Sequence, residues 1–320
     1  KRMQDWVYRY PVIAGRHRDA DGVHPPHGCF YPWDEYDAWE FTQIVNLCRD
    51  GWGELDLHLH HKNDTSESLT EKFRTAINLY AKQDALPRWS DGRLAWGFIH
   101  GNWALDNSRY EHCGVNDELS ILVREGCYAD FTFPAWTQEA QPRQLNSIYY
   151  AHDNPTQPKS YDPGAPARSG KPGPTDDLLL IQGPLAPFVR SGKIGPRPAM
   201  DDGDLASYRR YSTTRLDRWV RTGVHVAGRP DRIFIKLHTH GAPDANREAL
   251  SGTDLEAIFS DAEARYNDGK RYRLHYVTAR EMFNIVKATE SAPELSVNEA
   301  RNYVLKRPGL EEFYLQNLRL

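Results

Sequence analysis

Residues 54–64, Glu-Leu-Asp-Leu-His-Leu-His-His-Lys-Asn-Asp, gather three imidazoles and three carboxylates at the end of an expected strand. Side chains alternate along a strand, so His58 and His60 fall on the same face. Imidazole is the commonest metal-binding side chain, and two same-facing His with a carboxylate can hold a divalent ion while leaving positions for water and substrate. The pattern outlines a hydrolytic metal site. His58 and His60 are the expected ligands, Asp64 or Asp34 the completing carboxylate, and Zn2+ or another divalent metal the ion suited to those donors. The plain alternative is a surface strand that happens to be His-rich. Three His in four positions, in a chain with 13 His among 320 residues, argue against it.

A second pair strengthens the reading. Arg232-Ile-Phe-Ile-Lys-Leu-His-Thr-His-Gly241 reads as a short apolar strand ending in His238 and His240, again at same-face spacing. Two strands that each finish in His-x-His are expected to converge, because parallel α/β folds collect chemistry at the C-terminal ends of their strands. Two further strand ends carry polar or aromatic groups. Trp96–Leu105 brings His100, Asn102 and Trp103. Gly126–Trp136 puts Asp130 in an apolar run, where an unpartnered carboxylate is costly, and ends at Trp136. Trp103 and Trp136 fit core packing as well as they fit stacking platforms for a sugar.

Strands expected to position these groups are Gly28–Tyr31, Gly53–His58, Leu94–His100, Tyr128–Phe133, Leu178–Ile181, Ile233–His238 and Arg273–Val277. Helices are expected at Asp37–Arg49, Ser66–Lys82 with Thr65 or Ser66 as cap, Asn116–Arg124, Ser212–Arg221, Asp254–Tyr266, Ala279–Thr289 and about Val297–Lys306. The β, α, β, α order predicts a parallel sheet. Seven strands without an obvious hairpin favour a single distorted (β/α) barrel over an open sheet. Residues 153–176, rich in Pro and Gly, read as a long loop serving as a lid or rim to the site, not as a linker. Residues 1–320 are thus taken as one catalytic domain, with a C-terminal helical extension over 291–320.

The net charge of −4 and pI near 6.4 offer no basic surface for nucleic acid. No apolar run is long enough to predict a membrane span. Cys29, Cys48, Cys113 and Cys127 lack C-x-x-C spacing and are expected as reduced thiols, which favours the cytoplasm. The chain opens at Lys1 without Met, which predicts residues upstream.

The motifs in order are Gly53-Glu-Leu-Asp-Leu-His-Leu-His-His61, Phe98-Ile-His-Gly-Asn-Trp-Ala-Leu105, Gly126-Cys-Tyr-Ala-Asp-Phe-Thr-Phe-Pro134, Lys236-Leu-His-Thr-His-Gly241 and Tyr276-Val-Thr-Ala-Arg-Glu281. Together they resemble a divergent branch of the polysaccharide deacetylase superfamily, carbohydrate esterase family 4, over roughly residues 25–290. The resemblance implies a distorted barrel of about seven strands, a zinc-class ion on one Asp and two His, a second Asp as general base and a late-strand His as general acid. It matches His58 to the first metal His and His238 to the general acid, with His240 as its neighbour. Asp130 would orient the acid or assist the base, while His100, Asn102, Trp103 and Trp136 would line the substrate groove. The implied reaction removes an acetyl group, N-acetyl ahead of O-acetyl, from an amino sugar of a bacterial surface polysaccharide or its precursor.

Two departures stand out. The family's second metal His is replaced by Lys62, so His60, His61 or Asp64 must substitute. The opening Asp pair has only Asp19, Asp21 and Asp34 as candidates, unless it lies upstream. Asp56-Leu-His-Leu-His60 also resembles the opening of amidohydrolases and of the polymerase-and-histidinol-phosphatase group. An inactive carbohydrate-binding protein is the non-enzymatic alternative.

Overall fold

The computed structural model describes residues 2–191, 195–241 and 243–308. After helix α1 (Arg2–Ala14) the chain alternates β1 (His27–Pro32), α2 (Ala38–Arg49), β2 (Gly53–Leu59), α3 (Ser66–Ala81), β3 (Trp96–His100), α4 (Glu118–Arg124) and β4 (Cys127–Asp130). It continues through β5 (Ile148–Ala151), β6 (Ala165–Pro166) and β7 (Leu178–Ile181), then a hairpin of β8 (Ala186–Arg190) and β9 (Arg197–Asp201). Helices α5 (Thr213–Thr222), α6 (Arg247–Ser251), α7 (Thr253–Tyr266), α8 (Ala279–Ser291) and α9 (Val297–Ala300) complete the order. The helix starts follow from their caps. Asp37 accepts from Trp39 N and Glu40 N, while Thr65 with Ser68 and Thr278 with Glu281 form capping boxes.

A seven-stranded, mostly parallel sheet runs β1-β2-β3-β4-β7-β5-β6. β5 is antiparallel to both of its neighbours. No strand pairing joins the two edges among the described residues, so the fold is mixed α/β and a closed barrel is not shown. Ile233–His238 and Arg273–Val277, expected as strands, run as extended chain outside the sheet. Their backbone groups bond elsewhere: Leu205 N to His238 O, Phe234 N to Val224 O and Ala20 N to Leu274 O. β5 and β6 had no sequence expectation. α9 is a single turn where a helix to Lys306 was expected, and residues 309–320 of the expected C-terminal extension lie outside the described residues.

Alternation sorts β2 cleanly. Leu55, Leu57 and Leu59 enter an apolar layer with Phe41, Phe73 and Phe98 under α2, α3 and α4. Glu54, Asp56 and His58 face the other way. Glu54 meets Arg280 of α8 at 2.6 and 2.8 Å and the Thr278 hydroxyl at 2.8 Å, and Asp56 accepts from Gly97 N and the Tyr128 hydroxyl. On this side Tyr128, Phe131 and Tyr150 pack with Phe283 and Val286, joining residues from both sides of segment 153–176. That segment is bonded down. Ser160 donates to Asp106, Tyr161 is buried against Phe133, and Gly170 N donates to Thr289 O. None of its hydrogen bonds among the described residues reaches His58, His60, His238 or His240.

Two predictions test this frame. Arg280→Ala should lower stability by about 3–5 kcal/mol in chemical unfolding, because it strands buried Glu54 without its cation. Replacing Glu54 and Arg280 together with apolar residues should recover most of the loss. Asp201 of β9 is held by Arg215, Arg218 and Trp219. Burial alone would raise its pKa, but these partners win and hold it below its ordinary 3.8. Its contribution is therefore fully present above about pH 4 and lost as the pH falls below that. Asp201→Asn should flatten the acid limb of a stability-versus-pH curve.

Candidate metal centre

His58 near the end of β2 and His60 just past it lie on the face that carries Glu54 and Asp56, and their Nε2 atoms lie 3.3 Å apart. His58 Nδ1 donates to Ile99 O at 2.9 Å on the neighbouring strand. His60 Nδ1 meets Asp34 Oδ2 at 3.0 Å, and its backbone N donates to Asp34 Oδ1 at 2.9 Å. With both Nδ1 protons committed to acceptors, two Nε2 lone pairs point at each other. That arrangement needs a shared proton or a cation between them. Two tetrahedral zinc ligands with bonds of about 2.05 Å would have nitrogens about 3.3 Å apart, so the pair fits such an ion. Burial, and then His60, push the His58 pKa down to about 4. The Asp34 hydrogen bond raises that of His60.

Gly101 makes the close approach possible, since a Cβ there would sit 2.4 Å from His60 Cδ2. Asp34 and Glu35 follow β1 as an adjacent carboxylate pair, and each offers an oxygen near His60. Glu35 was not singled out from the sequence. The signal was there: two neighbouring acids at the end of the first strand. Asp19 and Asp21, the other early candidates, precede β1 and pair with Arg301 and His275.

The second His segment arrives by a different route from the expected strand. His240 is exposed, its ring 6.3 Å from that of Trp103, and it is near enough to His58 to depress that ring's pKa. His238 is half-buried, with Nδ1 unpartnered, and burial pushes its pKa down to about 3. Asn102 and Trp103 follow β3 with φ of 57° and 53°, a strained left-handed pair that turns the chain across the strand end. Trp136 is 40% exposed beyond β4.

Three expected site residues are placed elsewhere. Asp130 is buried, accepting from Thr132 N and Oγ1, with no hydrogen bond to His238 or His240. The partner that burial requires is Thr132; burial still pushes the Asp130 pKa up to about 7, with the Lys236 ammonium only partly opposing it. Asp64 is not a ligand beside His58 and His60. Both its oxygens take Lys72 at 2.7 Å, and they also bind Ser68 and His61. His100 cannot line a groove because it is 1% exposed.

His100 instead belongs to a second group. His61 has the opposite parity from His60 and points to the helix-covered face, as Phe98 and His100 do on β3. There His61, His100, Cys113 and Glu118 form a buried cluster whose ligand atoms lie within 4.8 Å of one another, and which could hold a metal ion. Sequence gave no signal for Cys113 or Glu118, which are single residues in a loop and at a helix start.

Asp34→Asn should weaken zinc binding at the His58–His60 pair by about 10–100-fold, through loss of ring orientation. In the parent protein the affinity should fall as the pH drops through the raised pKa of His60, since a proton competes for Nε2. Titration calorimetry at several pH values checks both. No family model, curated protein or solved structure matches this chain.

Proposed function

We propose that this protein is a metal-dependent hydrolase of the polysaccharide deacetylase type, with a zinc-class ion on His58 and His60. The substrate reading is an acetyl group, N-acetyl ahead of O-acetyl, on an amino sugar of a bacterial surface polysaccharide or its precursor. The observation that carries the metal-site reading is the Nε2 pair at 3.3 Å, each ring fixed through its other nitrogen. The substrate class rests on the motif resemblance. A distorted barrel is the matching fold reading, supported by Lys236, whose ammonium bonds the Phe131 and Phe133 carbonyls and draws segment 233–238 toward β4.

Such an ion, when bound, polarises the acyl carbonyl and lowers the pKa of water. The chain supplies the rest. Asp34 orients His60, and Glu35, exposed beside it, is the carboxylate available as a third ligand or as a proton acceptor at the rim. Amide cleavage needs a proton for the departing amine. Neutral, half-buried His238 is poorly suited to give one, whereas His240 is exposed, its ring 6.3 Å from that of Trp103. Trp103 and Trp136 offer aromatic faces to a sugar ring. The amidohydrolase reading loses its leading carboxylate, because Asp56 is buried and bonded to Gly97 and Tyr128.

The test is acetate release from acetylated amino-sugar oligosaccharides with added zinc or cobalt. His58→Ala should abolish turnover. His240→Ala should reduce kcat by roughly 100- to 10,000-fold, as for loss of a general acid, and His238→Ala should reduce it less. Absence of acetate with every substrate, despite full metal loading and measurable oligosaccharide binding, would favour the carbohydrate-binding alternative.

A further inference from the structure

We propose that His61, His100, Cys113 and Glu118 form a second, closed metal site, holding a tetrahedral divalent ion of the zinc class in a structural role. The argument begins with His100. Its Nδ1 donates to the Gly101 carbonyl, so its Nε2 carries a lone pair. That atom is buried, has no hydrogen-bond partner among the described residues and faces Glu118 Oε1 at 3.6 Å. Two acceptors facing each other in a dry site call for a cation or a proton between them.

Glu118 sharpens the point. Its side chain is fully buried, and its ion-pair partners among the described residues are His61 and His100 alone, with no Lys or Arg. The spacings suit a tetrahedron. His61 Nε2 and His100 Nε2 lie 3.2 and 3.6 Å from the same oxygen, Glu118 Oε1, and one ligand atom from each of the four residues lies within 4.8 Å of the other three. Zinc bonds of about 2.0–2.1 Å to N and O and 2.3 Å to S give tetrahedral edges of about 3.3–3.6 Å. The outer contacts also fit. Asp64 holds His61 Nδ1 and Gly101 O holds His100 Nδ1, each fixing the ring with Nε2 turned inward. A Cys thiolate and a Glu carboxylate balance a divalent charge, and four protein donors leave no position for substrate.

The four ligands come from the ends of β2 and β3, from the 101–117 loop and from the first residue of α4. A bound ion would therefore pin the loop that presents Asn102 and Trp103 beside His240. The parity of His60 and His61 sends neighbouring residues into two sites: an open one without sulfur and a closed one with it.

That difference supplies the test. Full-length protein loaded with cobalt should bind about two ions per chain and show near-ultraviolet thiolate-to-cobalt absorption. His58→Ala should lose one ion and keep that absorption. Cys113→Ser should lose it, and Cys48→Ser should keep it. Because Cys113→Ser also alters a fully buried position, alkylation of the parent gives an independent reading. Cys113 should resist alkylation when zinc-loaded and react after chelation, with the 101–117 loop then exchanging amide hydrogen faster. Cobalt uptake without the thiolate absorption, or equal alkylation of Cys113 with and without chelator, would overturn the closed site and leave the His58–His60 site standing.

Discussion

A side-chain period of two at the end of β2 governs the chemistry of this molecule. Leu55, Leu57 and Leu59 must be buried under α2 and α3, and that requirement fixes the register of the strand. Everything of opposite parity is then committed to the other face: Glu54 to Arg280, Asp56 to Tyr128, His58 to the rim. The chain keeps this parity for two residues past the strand, so His60 joins His58 and His61 joins the helix-covered side. A slip of one residue would exchange the two sets and put three carboxylate and imidazole groups into the apolar layer.

Each buried charge on the inner face has a dedicated answer, and these answers hold the second half of the chain against the first. Arg280 on α8 spans Glu54 and the carbonyls of Arg301 and Leu305. Arg301 in turn reaches Asp19 and the Tyr276 carbonyl. Lys236 reaches across to the Phe131 and Phe133 carbonyls near Asp130. These contacts explain why segments 233–238 and 273–277 stay extended without joining the sheet. Side-chain bonds and single backbone bridges fix them in place of a ladder.

The two histidine groups share one device at different degrees of burial. In both, one ring nitrogen is tied to a carbonyl or carboxylate so that the other must face inward. The Asp34 side of the first group is open to water, while the second is enclosed. Openness suits exchange of water and substrate, and enclosure suits permanence. The strained turn at Asn102 and Trp103 lies between them, leaving His100 and crossing toward His240.

Much of this was legible in the sequence. Alternation and capping residues placed β1 to β4, β7 and helices α2 to α5, α7 and α8, though not α1, and the same alternation put His58 and His60 on one face. Local pattern could not decide whether Ile233–His238 pairs in the sheet, because an apolar run looks the same whether its backbone bonds go to a strand or to a loop. Nor could it separate Asp64 and His100 from the rim. Both stand close in sequence to site residues, and their burial depends on Lys72, Cys113 and Glu118, which fold against them from elsewhere in the chain. Sequence fixes which face a side chain takes. Only tertiary packing decides which partners meet it there, and so whether a histidine stands at an open rim or inside a closed cluster.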